Sequence, residues 1–144
     1  MNIYVISDTH FGHANILKFT GANGKLIRPE FTNVQEMDWH MVKAWNSVVT
    51  PQDHIYHLGD LTMDRQCRPR FAALVKSLNG HKRLILGNHD KWDVRAYREV
   101  GFQKVMAYRR FDKVILSHIP LHPFSLGEMV NLHGHIHEKD SPPG

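Results

Sequence analysis

The chain is poor in cysteine, since Cys67 is the one cysteine among its 144 residues. A single thiol excludes an internal disulfide and a cluster of thiolate metal ligands. Any metal ion bound here must therefore be held by imidazole nitrogen or by carboxylate and amide oxygen.

Long apolar runs are also absent, and no stretch of the sequence is long enough to cross a bilayer. Residues 1–10 carry no cationic leader, and Asp8 interrupts their apolar character, so we expect a cytoplasmic protein with no membrane partner. No internal repeat or linker divides the chain. Its 144 residues therefore predict one compact domain spanning residues 1–144.

Charge of one sign is not concentrated anywhere, although the net charge is +4. This weak basic bias suits an anionic substrate but predicts no dedicated nucleic-acid partner. Histidine, in contrast, is abundant. Its 12 residues fall mostly in short clusters between apolar segments rather than in one run, a distribution that needs an explanation.

Short β-branched apolar segments predict buried strands, and apolar residues at three- and four-residue steps predict helices between them. Strands are predicted at 2–7, 54–58, 83–86, 113–117 and 129–133, with a weaker one at 103–109 that leads through Arg109-Arg110 into a hairpin. Helices are predicted at 34–48, 65–78 and 92–99. This alternation predicts an α/β fold, and the late strands without intervening helices predict mixed strand directions.

Polar residues mark the expected ends of the helices. Asn33 followed by Glu36 is typical of a capping arrangement at the start of the first helix. Asp64 is placed to cap the second helix, and Asn79-Gly80 to end it.

Residues 11–32 carry no clear periodicity beyond a short helix predicted near 13–19. The Gly/Asn-rich remainder predicts a loop that is either a flap beside the functional site or part of the surface. Residues 140–144 predict a frayed tail.

Polar clusters follow each of the five main predicted strands, and all are rich in metal-ligand chemistry. They are Asp8-Thr9-His10, Gly59-Asp60, Gly87-Asn88-His89-Asp90, Ser117-His118 and Gly134-His135-Ile136-His137. Because sites in open α/β sheets form at the carboxyl ends of strands, we expect these clusters to converge on one rim. The two-residue spacing in Asp8-x-His10 and His135-x-His137 places each pair on one side of an extended strand end, so each pair is expected to share one centre.

The donor types predict which ions this rim would hold. Asp, Asn and His without thiolate favour Mn, Fe, Ni, Zn or Mg. Seven candidate ligands exceed the needs of one catalytic ion with open positions, and they suit two ions that share a carboxylate.

The ordered motifs D-x-H, G-D, G-N-H-D, S-H-x-P and G-H-x-H resemble the calcineurin-like metallophosphoesterases over residues 8–137. The resemblance implies a four-layer α/β/β/α sandwich of mixed sheets, as in metallo-dependent phosphatases. It also implies hydrolysis of a phosphate ester, most simply a phosphodiester, with two divalent ions, Mn favoured, and a bridging hydroxide. The implied ligands are Asp8, His10, Asp60 and His137 for the first ion and Asp60, Asn88, His118 and His135 for the second.

Further roles follow from the same resemblance. It assigns His89 as the catalytic histidine that assists the leaving oxygen, and Asp90 as the acid that keeps that imidazole cationic and aimed. An aspartate after a loop histidine also fits a simple helix cap, so both readings of Asp90 stay open. Asn88, His13 and Arg28 are further candidates for substrate contact, and the Arg28 fork suits phosphate best.

Two classes of function compete on this pattern. The first is a hydrolase of phosphate esters, including a nucleotide or nucleic-acid phosphodiester. The second is a metal-binding interaction scaffold of the same fold without catalysis. His89 and all seven ligand candidates are present, which favours the enzyme. Relatives usually continue past G-H-x-H with further strands, so we expect a smaller sheet with an open pocket, or a strand supplied within a homo-oligomer.

Overall fold

The computed structural model describes residues 1–63, 68–137 and 139–140. Strands and helices alternate through the first part of the chain: β1 (Ile3–Ile6), α1 (Val34–Val48), β2 (His54–His57), α2 (Arg68–Ser77), β3 (His81–Ile85), α3 (Val94–Glu99) and β4 (Lys104–Met106). Three further strands follow: β5 (Arg109–Arg110), β6 (Val114–Leu116) and β7 (Val130–Leu132). Short 3₁₀ helices span Ala14–Lys18 and Pro123–Ser125.

The strands form two sheets of different character. The first has the order β1-β2-β3-β4, and all its neighbours are parallel because a helix crossover joins each consecutive pair. The second has the order β5-β6-β7, with β5 antiparallel and β7 parallel to β6. The predicted α/β class is confirmed, and mixed strand direction is confirmed for the second sheet only.

The two faces of the first sheet pack against different partners because successive side chains alternate. Ile55 and Leu84 belong to a core cluster that includes residues from all three α-helices, whereas their neighbours Tyr56 and Ile85 pack with Leu116 of β6. The described residues thus form three layers. Among the described residues, the hydrophobic cluster that includes the second sheet contains no α-helix residue, so the fourth layer stays a prediction.

Helix α1 begins where its capping residues predict. The Asn33 side chain accepts a hydrogen bond from the Glu36 amide at 2.8 Å. The Glu36 carboxylate accepts from the amide and hydroxyl of Thr32 instead of reaching Asn33. Trp45 is 5% exposed, and its indole N–H donates to the carbonyl of Asn79, which fixes the helix against the loop after α2.

Residues 103–109 depart most from their predicted structure. The expected single strand divides into β4, which pairs with β3, and β5, which pairs antiparallel with β6. The hairpin through Arg109-Arg110 is therefore confirmed, and the continuous strand is wrong, because the chain passes from one sheet to the other at residues 107–108. The predicted Asp64 cap, the start of the second helix and the tail from residue 141 lie outside the described residues.

Residues 11–32 are mostly irregular, and the short helix near 13–19 is a 3₁₀ helix. Phe11 and Ile16 are almost fully buried and hold this segment on the core. A single β-bridge between Phe11 and Thr62 joins it to the chain that follows β2. Within the described ranges, no helix combines the length and apolarity needed to cross a membrane.

Candidate metal centre

The loops that follow β1 and β2 run side by side beyond the ends of the strands. The Asp8 amide donates to the Gly59 carbonyl at 3.0 Å, and the His10 amide donates to the Asp60 carbonyl at 3.0 Å. These bonds prolong the parallel ladder of β1 and β2 past its last strand residues. The side chains of Asp8, His10 and Asp60 are thereby brought to one rim of the first sheet.

Side chains at this rim form two clusters of potential ligands. The first cluster is Asp8, His10 and His137, and the second cluster is Asp60, His118 and His135. Within each cluster, one ligand atom from every residue lies within 4.8 Å of the others.

Asn88, the seventh predicted ligand, joins the second cluster. Its Oδ1 is 2.8 Å from His118 Nε2 and 3.0 Å from His135 Nδ1. The two clusters meet at Asp60, whose Oδ2 is 3.4 Å from His118 Nε2 and 3.9 Å from His10 Nε2. The structure therefore brings all seven predicted side chains together, and their role as ligands stays a prediction.

The spacing of the donor atoms fits a metal ion in each cluster. Ligands bound at about 2.0–2.2 Å lie roughly 3.0–3.5 Å from one another around one ion. His118 Nε2 and His135 Nδ1 are 3.2 Å apart, and Asp8 Oδ1 is 3.5 Å from His137 Nε2. Asp8 Oδ1 and both ring nitrogens of His10 are buried and have no hydrogen-bond partner among the described residues. Imidazole nitrogen with carboxylate and amide oxygen suits a divalent ion of the Mn, Fe, Ni or Zn type.

Five non-glycine residues of the described chain have a left-handed backbone, and all five are predicted ligands. Their φ angles are 53° for Asp8, 48° for His10, 53° for Asp60, 72° for His135 and 52° for His137. Each such residue costs about 1–2 kcal/mol, and residues of this kind concentrate at functional sites. The fold maintains this strain at the ligand candidates themselves.

The left-handed backbone also changes how the two pairs with two-residue spacing, Asp8 with His10 and His135 with His137, are arranged. Strands β1 and β7 end before the ligand pairs begin, so neither pair lies on an extended strand end. Asp8 and His10 still meet in the first cluster. His135 and His137 turn apart, one into each cluster, so the expectation that they share a centre is wrong.

Paired substitutions at His137 should measure this backbone strain. Both His137→Gly and His137→Ala remove the imidazole, but only glycine adopts a φ of 52° without a Cβ penalty. We expect the glycine variant to be more stable than the alanine variant by about 1 kcal/mol, measured by urea unfolding of metal-free protein. A more stable alanine variant would show that the left-handed backbone carries no strain.

Two glycines leave space for the ligand loops to approach one another. Gly59 has a φ of 97°, and a Cβ there would lie 2.6 Å from both the Gly87 nitrogen and His118 Nδ1. A Cβ at Gly134 would collide with the Ser7 hydroxyl and the Asp8 carboxylate. The His135 amide uses that close approach to donate to Asp8 Oδ2 at 3.0 Å.

Asp90 connects two of the ligand loops. Its carboxylate accepts from the amides of Asp60 at 2.9 Å, Leu61 at 3.0 Å and Gly87 at 2.8 Å. Burial raises the pKa of Asp90 more than these hydrogen bonds lower it. In the described residues these bonds link main-chain groups and not the His89 ring, so the geometry assigns Asp90 a positioning role, and the expected orientation of His89 stays a prediction.

A buried pair beneath the rim supports the loop that follows β1. His57 is fully buried, and its Nδ1 accepts from the Gly59 amide at 3.1 Å. Its Nε2 is 2.9 Å from the hydroxyl of Thr9, which donates to the Leu61 carbonyl, so the hydrogen-bond network assigns the proton to Nε2. Burial lowers the pKa of His57 to about 3 and keeps it neutral. This supporting role of Thr9 was not predicted from the sequence, although its position between the candidate ligands Asp8 and His10 could have indicated it.

The charge states of the central residues suit metal binding. Burial lowers the pKa of His10 to about 4, although Asp60 and Asp8 oppose the shift, so its ring is neutral near pH 7. Burial raises the pKa of Asp60, but hydrogen bonds from His118 and the His89 amide lower it to about 2 overall. A neutral imidazole and an ionised carboxylate are the forms that coordinate a cation.

His89, His13 and Arg28, predicted as catalytic or substrate residues, lie beside the first cluster. His89 is half-buried, its amide donates to Asp60 Oδ1 at 2.9 Å, and its ring centroid is 5.8 Å from that of His10. The His13 ring centroid is 5.6 Å from that of His10. Arg28 and His137 line one cleft, and the Arg28 guanidinium donates to the sulfur atoms of Met37 and Met41. Because thioethers are weak acceptors, the guanidinium keeps donors for an anion.

Comparison with known proteins decides the family. A family model described as calcineurin-like phosphoesterase matches residues 1–142. The chain belongs to the calcineurin-like phosphoesterase family. This confirms the resemblance read from the motifs and supports metal-dependent phosphoester hydrolysis as the general activity.

Two relatives of this calcineurin-like phosphoesterase match nearly the whole chain. An uncharacterized protein of Methanocaldococcus jannaschii is 37% identical over 144 residues, covering 98% of this chain and 73% of that protein. The Gene 66 protein of Mycobacterium phage D29 is 27% identical, covering 96% of this chain and 79% of that protein.

A solved structure is similar as well. It is the crystal structure of a protein of unknown function from Aquifex aeolicus, with a TM-score of 0.63 and 28% identity. The match covers 83% of this chain and 62% of that one, so this chain spans less than two thirds of the Aquifex protein.

Proposed function

We propose that this chain is a two-metal phosphodiesterase and that Mn²⁺ is the ion that best supports its activity. The observation that carries the proposal is the position of Asp60, whose carboxylate lies between His10 of the first cluster and His118 of the second. One shared carboxylate between two donor sets is the arrangement that a pair of neighbouring ions requires. We propose that the first cluster and Asp60 would hold one ion, and the second cluster with Asn88 the other.

When bound, such ions supply Lewis acidity, which lowers the pKa of a coordinated water and screens the charge of phosphoryl oxygens. The residues of the chain fix the geometry. Asp60 is ionised and accepts from the His89 amide, which places the His89 side chain at the edge of the first cluster. From there His89 would donate a proton to the departing oxygen of the ester.

Cationic and polar groups lie on the side of the first cluster that faces residues 11–32. His137, Lys25 and Arg28 line a cleft of about 560 Å³. We propose that residues 11–32 serve as a wall of the active site and that Arg28 contacts a phosphoryl oxygen there, because its planar fork matches phosphate. We also propose that the fold is a four-layer α/β/β/α sandwich.

A metal-reconstitution screen tests the function. Metal-free protein would be loaded with Mn²⁺, Ni²⁺, Zn²⁺ or Mg²⁺ and assayed with bis(4-nitrophenyl) phosphate and 4-nitrophenyl phosphate. We expect the highest kcat/KM with Mn²⁺ and the diester, and none after chelation. Full occupancy of both sites without turnover of any phosphate ester would instead favour the non-catalytic scaffold.

A further inference from the structure

A second cleft opens onto the other side of the centre, and its walls differ from those near Arg28. It has a volume of about 600 Å³, and Asn88 and His118 of the second cluster line part of it. Its remaining walls are largely apolar and include Ala107, Tyr108, Ile119 and Leu121. We call this space the apolar cleft. Its volume is in the range of pockets that bind small organic ligands.

Tyr108 occupies an exposed position in the wall of the apolar cleft. It follows β4, which is parallel to β3, so it leaves the first sheet at the same edge as Asn88. Its side chain is 60% exposed, and the neighbouring wall residue Ile119 is 51% exposed. Contiguous exposed apolar surface of this kind, unlike a single exposed residue, is found at ligand-binding grooves.

The polar groups of the apolar cleft are few, and two of them already have hydrogen-bond partners. The Ser117 hydroxyl donates to the Ile119 carbonyl at 2.7 Å and accepts from Asn131 at 2.9 Å. The Gly87 amide donates to Asp90. A sugar chain needs many free donors and acceptors, so these walls do not suit one. A flat aromatic group with few hydrogen-bonding atoms suits them well.

We propose that the apolar cleft binds the organic group of the ester, that this group is a planar aromatic ring system of nucleoside size, and that Tyr108 stacks on it. This inference rests on the proposed phosphodiesterase function, because the second cluster would then hold the phosphoryl group beside Asn88 and His118, where they line the cleft. The volume of about 600 Å³ exceeds what a phenyl ring fills and accommodates a base with its sugar. Base–aromatic stacking tolerates any base, so Tyr108 selects the class of ester and not a sequence.

The test compares diesters that share a 4-nitrophenyl leaving group and differ in the retained group: thymidine 5′-yl, phenyl and methyl. With Mn²⁺-loaded protein, we expect Tyr108→Ala to raise KM for the thymidine ester about tenfold, the size of one lost stacking contact. The methyl ester should keep its kcat/KM within about twofold, since its retained group has no ring to stack and its leaving group is the same in all three esters. Tyr108→Phe should behave as wild type.

Trp39→Ala is the matched control, because Trp39 is an equally exposed aromatic residue, at 61%, on α1 and outside the apolar cleft. It should leave all three esters unchanged. Equal effects of Tyr108→Ala on the thymidine and methyl esters would overturn the stacking role. A wild-type preference for the phenyl over the thymidine ester would overturn the nucleoside assignment.

A binding measurement separates this inference from the proposed function. Saturation-transfer NMR with thymidine and metal-free protein should show contact to the base protons in wild type and its loss in Tyr108→Ala. If no ester is hydrolysed but thymidine binds in this way, the phosphodiesterase proposal fails and the cleft assignment stands. If esters are hydrolysed and thymidine shows no Tyr108-dependent contact, the cleft assignment fails alone.

Discussion

Asp60→Asn should lose at least one of two bound ions and about a thousandfold of kcat/KM toward bis(4-nitrophenyl) phosphate. The physical reason is that Asp60 Oδ2 lies between His118 and His10, and the amide nitrogen that replaces this oxygen has no lone pair for a cation. Asparagine is the informative substitution because it tolerates the φ of 53° found at this position. Metal content by inductively coupled plasma mass spectrometry and steady-state kinetics would measure both effects.

Asp53→Asn is the matched control for this variant. Asp53 is also a buried aspartate, at 2% exposure, but it precedes β2 at the opposite end of the strand from Asp60. Its carboxylate accepts from the amides of Asn2 and Thr50, bonds that lower its pKa to about 2. The control should lower the free energy of unfolding and keep both ions. Full occupancy and turnover within tenfold of wild type in Asp60→Asn would contradict the shared-carboxylate proposal.

His89→Gln should keep its metal content and lose turnover by about a hundredfold or more, the usual contribution of a positioned general acid. The hydrogen bond to Asp60 comes from the main-chain amide of residue 89 and survives the substitution, so the ligands stay in place. The loss should grow as the leaving group becomes more basic, because a poor leaving group depends most on proton donation. A series of substituted phenyl diesters would measure that dependence.

His81→Gln provides the comparison for His89→Gln. His81 begins β3 at the end of the strand far from His89, and its ring contacts Gln103. It should change neither the turnover number nor its dependence on the leaving group. If His89→Gln lowers turnover equally for every leaving group, His89 does not act as the proton donor.

Residues with a local signal were predicted well from the sequence. Helix α1 runs over the predicted residues 34–48, since an apolar period of 3.6 and an Asn33 cap need no tertiary information. The convergence of strand-end clusters followed from one rule, that parallel strands end at the same edge. Asp8 and His135 follow strands of different sheets, so their hydrogen bond depends in addition on how the two sheets pack together.

Features that depend on the path of the chain in space were not predicted from residue spacing or periodicity. The separation of His135 from His137, which the family resemblance implied, could not come from the residue spacing, because it follows from left-handed backbone angles that carry no signature in hydrophobic periodicity. The division of residues 103–109 follows from a change of sheet at Ala107 and Tyr108, which requires the second sheet to be in place. For the same reason, Tyr108 gave no sign in the sequence that it lines a cleft beside Asn88.

The carboxylate of Asp90 has a consequence for how ions are loaded and replaced. Its three hydrogen bonds join the loops after β2 and β3 through main-chain nitrogens, and none of these atoms is a predicted ligand atom. The two ligand loops are thus held in position by hydrogen bonds that stay intact when a chelator removes the ions. We expect one preparation of folded protein to be stripped and refilled with different ions by dialysis alone, with no refolding step between them.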